Sequence, residues 1–495
     1  MSTAAKAVGE LTAQLAGDPQ VRLVDTTGRR DRSLSGVELA HEISQARNRL
    51  LHAGISGEHT VLFAIRPSVA AVTHMLALLS IGSRVVLIDL RDPARLIESK
   101  LAQVKPDFAL TEPLLALASR KPVRRLRWFR GRVPPIAGMA KRIVTIRHPT
   151  GPGRTLTDPK PDDPALVVFT SGTTDTPKAV VHTQRTLAAM LKTLVELMDD
   201  APGEVVYTDQ FHSLFPSLVA GARCVFGRPE KQPWKLVQCL NQQGVRTWFT
   251  TPPVLRDVLP HLARGGTLTR VVLGSSPVTR PLVQEVSRQL PQVAVVAVYA
   301  MSEAVPVAIT DGEAIVNHRG SGDLVGAPVP GLDVLIEDTG EIVISGVRVG
   351  SYLGSSEIAI RTGDHGYLTE TGELVLEGRI KDMILTGARN IYPQHYEPHL
   401  VELEGVQEAA LVGISDQYGD EELWLALELQ PGANRDMVVL SVAGSDAGRS
   451  LPISGVVFTE LPRSGRSRKL DRLALRHVVT KARNSEEFVR LANIA

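Results

Sequence analysis

Between Val168 and Ala179 the chain reads VFTSGTTDTPKA, which gathers hydroxyls, a glycine and a lysine into one short stretch. Residues of this type suit a turn that cradles phosphate. Short hydroxyls and backbone N–H groups approach an anion without obstruction, and a lysine adds charge. The spacing nearly matches a Walker loop, with Gly172 followed five places on by Pro177 and then Lys178. Pro177, however, has no N–H to offer a phosphate, and Ala179 has no hydroxyl for magnesium. A standard P-loop is not expected.

Further segments carry chemistry at later positions. Val272-Leu273-Gly274-Ser275-Ser276-Pro277 sets a glycine at a strand end, and Val298-Tyr299-Ala300-Met301-Ser302-Glu303 joins an aromatic, a hydroxyl and a carboxylate. Arg361-Thr362-Gly363-Asp364-His365-Gly366-Tyr367 offers a carboxylate whose two oxygens suit a vicinal diol. Gly378-Arg379-Ile380-Lys381-Asp382 and the basic stretch from Leu461 to Arg472 complete the set.

Together with the opening loop, and in this order, these segments resemble the acyl-adenylate-forming superfamily of acyl-CoA synthetases, peptide-synthetase adenylation domains and luciferases. The resemblance covers nearly the whole chain. It implies an ATP- and magnesium-dependent ligase that converts a carboxylic acid to acyl-AMP, expels pyrophosphate and lets a nucleophile displace AMP. It assigns Thr170, Ser171, Gly172, Thr173, Thr174 and Lys178 to the phosphates, with Asp175 and Ala179 standing where the family has glycine. Gly274, Ser275 and Ser276 would flank adenine and the acyl group, Tyr299 would pack near adenine, Ser302 would reach phosphate and Glu303 would hold magnesium. Ala300 replaces a family glycine. Asp364 would bind ribose, Arg379 would lie near ribose and phosphate, and Lys381 would be the hinge pivot. Lys469 would neutralise charge shared between the carboxylate and the α-phosphate, a role that suits an ammonium better than the guanidinium of Arg466 or Arg468. His212, in Phe211-His212-Ser213-Leu214-Phe215, would face the reacting carboxylate, in a pocket walled by Phe211, Leu214, Thr250, Thr251 and Gly274 to Pro277. Such a wall suits an aliphatic or aromatic acid.

The elements that must position these residues alternate. Leu39 to Leu51, Ser68 to Leu79 and Ala94 to Gln103 have helical periodicity, and between them Thr60 to Ile65, Arg84 to Ile88 and Phe108 to Leu110 read as strands. A second block repeats the theme at Glu204 to Tyr207, Arg223 to Phe226, Arg246 to Phe249, Arg270 to Leu273 and Ala294 to Tyr299. Alternation of this kind implies parallel sheets with covered faces. The opening loop is expected between the strand Ala165 to Phe169 and a helix starting near Thr183. From about Gly331 short strands and turns suggest a small β-rich module, and after Lys381 strands and helices mix again. The expected class is α/β: two α/β subdomains and the β-rich module within residues 1–380, then a small mobile α+β C-terminal domain over 381–495.

Composition narrows the field. The 495 residues are 43% hydrophobic and 22% charged, which permits large cores and argues against global disorder. The net charge of +2 gives no support to a nucleic-acid partner. Arg120 to Arg125 is a local basic cluster, read as a solvated surface. The two cysteines, Cys224 and Cys239, make neither a disulfide framework nor a metal site and fit a reducing cytoplasm. The N-terminal stretch lacks the apolar core of a signal peptide, and Val69 to Leu90 reads as a buried helix and strand, with no membrane span expected.

The second step stays open at this level. Base rates in the superfamily favour transfer to a thiol, CoA or an acyl carrier protein. Leu87-Ile88-Asp89 leading into an Arg95-containing helix, Phe211 to Gly221 and Glu303 to Val307 resemble β-lactone synthetases, where a β-hydroxyl displaces AMP; a nitrogen nucleophile is a related alternative. Gly387-Ala388-Arg389-Asn390 is similar to both CoA ligases and carrier-protein-loading ligases, with Ala388 in place of a glycine. Asp175, Ala179 and Ala300 keep a third reading open, a non-catalytic nucleotide-binding relative. A monomer and a homodimer are equally compatible with the sequence.

Overall fold

Helix boundaries follow local chemistry. Ser35 and Glu38 form a capping box at the start of Gly36–His52. Ser68 caps the buried helix Val69–Ile81, which Gly82 ends in the left-handed region at φ +81°. The computed structural model describes the chain apart from residues 1–2, 29–30, 91, 93, 120–135, 137, 152–156, 171–176, 228–231, 263–265, 387–388, 416–420, 465–468 and 491–495.

The β-branched runs of the first block build a seven-stranded sheet. Pro164–Phe169, Arg84–Leu87, Thr60–Ala64, Phe108–Thr111 and Arg142–Thr145 run parallel in that spatial order. Ala179–Thr183 adds antiparallel beside Pro164–Phe169, and Ser351–Tyr352 closes that edge. The fully buried strand Thr60–Ala64 lies at the centre, as its uninterrupted apolar sequence requires.

The second block is the centre of a thirteen-stranded sheet. Arg223–Phe226, Val205–Thr208, Thr247–Thr250, Arg270–Gly274 and Ala294–Met301 are its parallel core. Val21–Asp25 and Arg32–Ser35, near the N-terminus, form its far edge against Arg223–Phe226. At the other side Ala304–Asp311 turns antiparallel and leads through Asp323–Pro328 into Leu374–Arg379, Ala359–Leu368, Glu341–Gly346 and Leu332–Ile336. The small β-rich module expected after Gly331 is present, and Asp323–Pro328 hydrogen-bonds it to the second sheet. Helix Gln184–Met198 lies against both bodies: Leu187 and Leu191 join the first core, and Met198 packs with Phe249 and Val272 of the second sheet.

The C-terminal part is a three-stranded sheet of Val406–Ser415, Glu421–Leu429 and Ile453–Phe458. Val438 and Val442 of helix Arg435–Gly444 cover one face, and Leu475, Val479 and Ala482 of helix Arg472–Asn484 cover the other. The pairing of Arg463–Ser464 with Lys469–Leu470 leaves Lys469 on a hairpin, with Leu470 packed on the second of those cores.

Candidate active site

Asp364 is the centre of the polar cluster. It is 4% exposed in Ala359–Leu368, where its N–H donates to Thr362 Oγ1 at 3.0 Å. Its Oδ1 pairs with Arg379 Nε at 2.6 Å, and its Oδ2 accepts the Tyr299 phenol at 2.5 Å. Strand register explains the first contact, since Asp364 sits opposite Arg379. Burial pushes the Asp364 carboxyl up, while Arg379, Tyr299, Lys381 and Lys469 pull it down; burial prevails. The same proximity shows from the other side. Lys469 is held below the ordinary lysine range by partial desolvation and by the charges of Arg379 and Lys381, with Asp364 opposing them. Its side chain remains solvent-accessible, so the desolvation is modest. Lys381, in the short 3-10 turn Ile380–Asp382, is likewise lowered, chiefly by burial. A carboxylate, a guanidinium and two ammonium groups from three stretches of sequence therefore act on one another.

The hairpin that carries Lys469 is docked by charge. Glu408 of the C-terminal sheet pairs both with Arg463 at the base of the hairpin and with Arg256 on helix Pro252–Val258 of the large part. At the other side of the junction the rings of His365 and Tyr392 stack with centroids 4.7 Å apart.

A second polar group surrounds Glu303, 3% exposed, whose Oε1 accepts the Tyr352 phenol at 2.8 Å. The Lys178 ammonium lies 4.8 Å from the Tyr352 ring centroid. Among the described residues no group of three or more His, Cys, Asp or Glu side chains is arranged to hold a metal. One buried carboxylate, with a phenol on Oε1, fits magnesium that arrives on nucleotide phosphates, an ion that usually keeps water and takes one or two protein carboxylates.

The strand before the loop and the helix near Thr183 stand where expected, and a further strand, Ala179–Thr183, lies between loop and helix: Phe169 pairs with Ala179, and the Thr170 N–H donates to the Lys178 carbonyl at 3.1 Å. The apolar run Ala179-Val180-Val181 belongs in the sheet, so the helix begins only after Thr183, which caps it at the far end of that strand. Ser171, Gly172, Thr173, Thr174 and Asp175 lie outside the described residues, as do Arg466, Arg468, Gly387, Ala388, the Arg120 to Arg125 cluster and the Arg95 side chain.

Gly274 ends its strand and Ser275 adopts φ +69°, a left-handed conformation that is uncommon for a residue with a Cβ and collects at functional turns. Ser276 Oγ is buried without a hydrogen-bond partner among the described residues. Ala300 falls where the register between Ala294–Met301 and Ala304–Asp311 shifts. His212 sets its ring edge-on to Phe249, centroids 5.1 Å apart, above the cluster of Met198, Val272, Val296 and Val298. Of the residues expected to wall the acid pocket, Leu214 is buried in the first core, and Phe211 is partly buried with its ring between Phe63 and Phe226. Sequence reasoning missed the Tyr352 contact and also His182, whose Nε2 lies 2.8 Å from the Ser302 carbonyl. A lone histidine in a VVHT strand pattern carries no local signal of that contact.

With this geometry, residues 11–359 match the model of the AMP-binding enzyme family. The chain belongs to the AMP-binding enzymes. Among curated relatives, an olefin beta-lactone synthetase of Xanthomonas campestris pv. campestris is 29% identical over 472 residues, covering 81% of this chain and 82% of that protein. A substituted propanoyl:CoA ligase of Rhodococcus jostii is 28% identical over 330 residues, and there the match spans 61% of this chain and 63% of the relative. Among solved structures, ATP-bound MatB from Rhodopseudomonas palustris superposes with a TM-score of 0.80 at 21% identity, over 97% of this chain and 99% of that one. The adenylating fold is thereby shared from end to end.

Proposed function

We propose that this enzyme is an acid ligase that uses ATP and magnesium to convert a carboxylic acid to an acyl-AMP, releases pyrophosphate, and then transfers the acyl group to a thiol, of CoA or a carrier protein. The observation that carries the reading is the meeting of Asp364, Arg379, Lys381 and Lys469 at one place, in a chain of this family. An acid oxygen attacks the α-phosphorus, and the leaving pyrophosphate takes the bond electrons. Negative charge shared between the carboxylate and the α-phosphate then falls where Lys469 supplies an ammonium on a short, docked hairpin. Asp364 binds the ribose diol, sharing or exchanging the contacts it makes with Tyr299 and Arg379. Thr170, Lys178 and Ser302 address the phosphates, together with the loop residues 171–174. Glu303 would hold magnesium, which neutralises phosphate charge. Gly274, Ser275 and Ser276 flank the adenine and acyl groups, and His212 faces the acid carboxylate above an apolar floor. An aliphatic or aromatic acid fits that floor.

The division into residues 1–380 and 381–495, with rotation about Lys381 between the two half-reactions, belongs to the same proposal, as does a cytoplasmic location. Among the described residues no helix is long and apolar enough to cross a membrane. A second reading, in which the acyl-AMP collapses onto its own β-hydroxyl without CoA, is favoured by the olefin beta-lactone synthetase relatives, which align over more than four fifths of this chain. Exchange of radiolabelled pyrophosphate into ATP, across a panel of acids, tests the first step. No exchange with any acid would favour a non-catalytic nucleotide binder. Mass spectrometry of acyl-AMP with and without CoA separates the two second steps: CoA-dependent loss supports thiol transfer.

A further inference from the structure

We propose that Tyr352 and His182 are positioning residues that aim Glu303 and Ser302 at the phosphates and magnesium of bound nucleotide, an inference that rests on the ATP-dependent reading above. Ser302 and Glu303 follow a strand of the thirteen-stranded sheet, whereas Pro164–Phe169 and Ala179–Thr183, the strands flanking the expected phosphate loop, belong to the seven-stranded one. Something must hold the two in register across the cleft. The strand Ala179–Thr183 and the edge strand Ser351–Tyr352 paired with it supply one strut each. Tyr352 pairs with Val180 of the first of these strands and donates its phenol to Glu303 Oε1 at 2.8 Å. His182, two residues further on and 1% exposed, donates Nε2–H to the Ser302 carbonyl at 2.8 Å. Burial lowers the His182 pKa, which favours the neutral ring, and Nδ1 has no hydrogen-bond partner among the described residues.

Gly350 completes the arrangement. Its N–H donates to the Glu303 carbonyl at 2.8 Å, and a Cβ there would stand 2.8 Å from the His182 ring. Two side chains and one backbone N–H from the loop side thus fix two consecutive residues on the other side. A phenol on one oxygen of a carboxylate sets its rotamer and leaves the second oxygen for a cation, the usual work of a group placed behind a metal ligand. The Lys178 ammonium over the Tyr352 ring links the same strut to the loop. A packing role alone would use the ring of Tyr352 and leave its hydroxyl without purpose.

The test uses full-length protein with Tyr352→Phe, His182→Leu and His182→Gln. Calorimetric titration measures ATP binding with magnesium and again with EDTA, and thermal unfolding without ligand follows the fold. Tyr352→Phe is expected to weaken magnesium-dependent ATP binding by about 10–100-fold, the usual range for losing such a partner, while binding in EDTA and Tm stay near wild type. His182→Leu should act in the same direction, and His182→Gln, whose amide keeps a donor, should restore most of the loss. Equal magnesium dependence in wild type and Tyr352→Phe would overturn the proposal. So would losses in both His182 variants that follow Tm and affect EDTA binding equally. If His182→Leu does not fold, Tyr352→Phe decides the question. Wild-type protein that binds no ATP in either buffer would overturn the ATP-dependent reading, and the proposal with it.

Discussion

Replacing Lys469 with alanine should lower adenylation by about 10²–10³-fold and leave the fold intact. Its neighbours explain the second half. Leu470 packs into the C-terminal core, the Asp471 N–H donates to the Pro462 carbonyl at 2.8 Å, and the Asp471 side chain caps helix Arg472–Asn484. None of these contacts uses the lysine chain. The magnitude follows from charge. Two unit charges about 4 Å apart interact by about 1 kcal/mol in water and about 4 kcal/mol at an effective dielectric of about 20. Lys469 is solvent-accessible yet crowded by Arg379 and Lys381, which places it in the upper part of that interval once nucleotide fills the cleft. A loss of about 2.7–4 kcal/mol is the stated fold-change. Pyrophosphate–ATP exchange with an accepted acid reads the first half-reaction. AMP release from presynthesised acyl-AMP and nucleophile reads the second, which should stay within about twofold because charge no longer develops on the α-phosphate in the same way. Unchanged exchange in the variant would refute the assignment of Lys469, and equal loss in both half-reactions would show that the residue holds structure and not the first transition state.

Three more outcomes are expected. Lys381→Pro should spare adenylation and impair transfer, since it stiffens the short turn Ile380–Asp382; a comparison of exchange with overall turnover decides it. Asp364→Asn should raise the KM for ATP by about 10–100-fold with little change in the KM for acid, because it removes a charged acceptor from the Arg379 and Tyr299 contacts. Burial pushes Asp323 up to about 7, above its unfolded value, so its ionisation destabilises the fold increasingly as pH rises from about 4 to about 7. Asp323→Asn should therefore add about 1 kcal/mol, after allowance for partial solvent access, or a few degrees of Tm at pH 8, and nothing near pH 4; calorimetric scans at both pH values check it.

Much of this protein was legible one segment at a time. Strands such as Thr60–Ala64 and Arg270–Gly274 announced themselves as β-branched runs, and Ser68 and Gly82 bracketed the buried helix Val69–Ile81. The order of the motifs from Thr170 to Lys469 pointed to the family, because each needs its own residue types for its own part of the chemistry. These signals are local, and local propensity and spacing are what a sequence displays.

Long-range pairing is not displayed there, and tertiary structure alone decided it. Val21–Asp25, near the N-terminus, joins a sheet whose neighbouring strand, Arg223–Phe226, lies far along the chain. Short strands and turns announced the β-rich module, but not the hydrogen bonds through Asp323–Pro328 that join it to the second sheet. Nor was it legible that Val180 and Val181 extend the first sheet, since the partner strand decides that. The same holds at the site. Types and spacing nominated Asp364, Glu303 and Lys469, but whether a carboxylate meets a guanidinium at 2.6 Å, or a phenol at 2.8 Å, depends on folding distant strands side by side. The sequence determined which groups this protein brings to its chemistry; the tertiary structure determined which of them touch, because contact between residues remote along the chain is a property of the packed sheets and not of either segment.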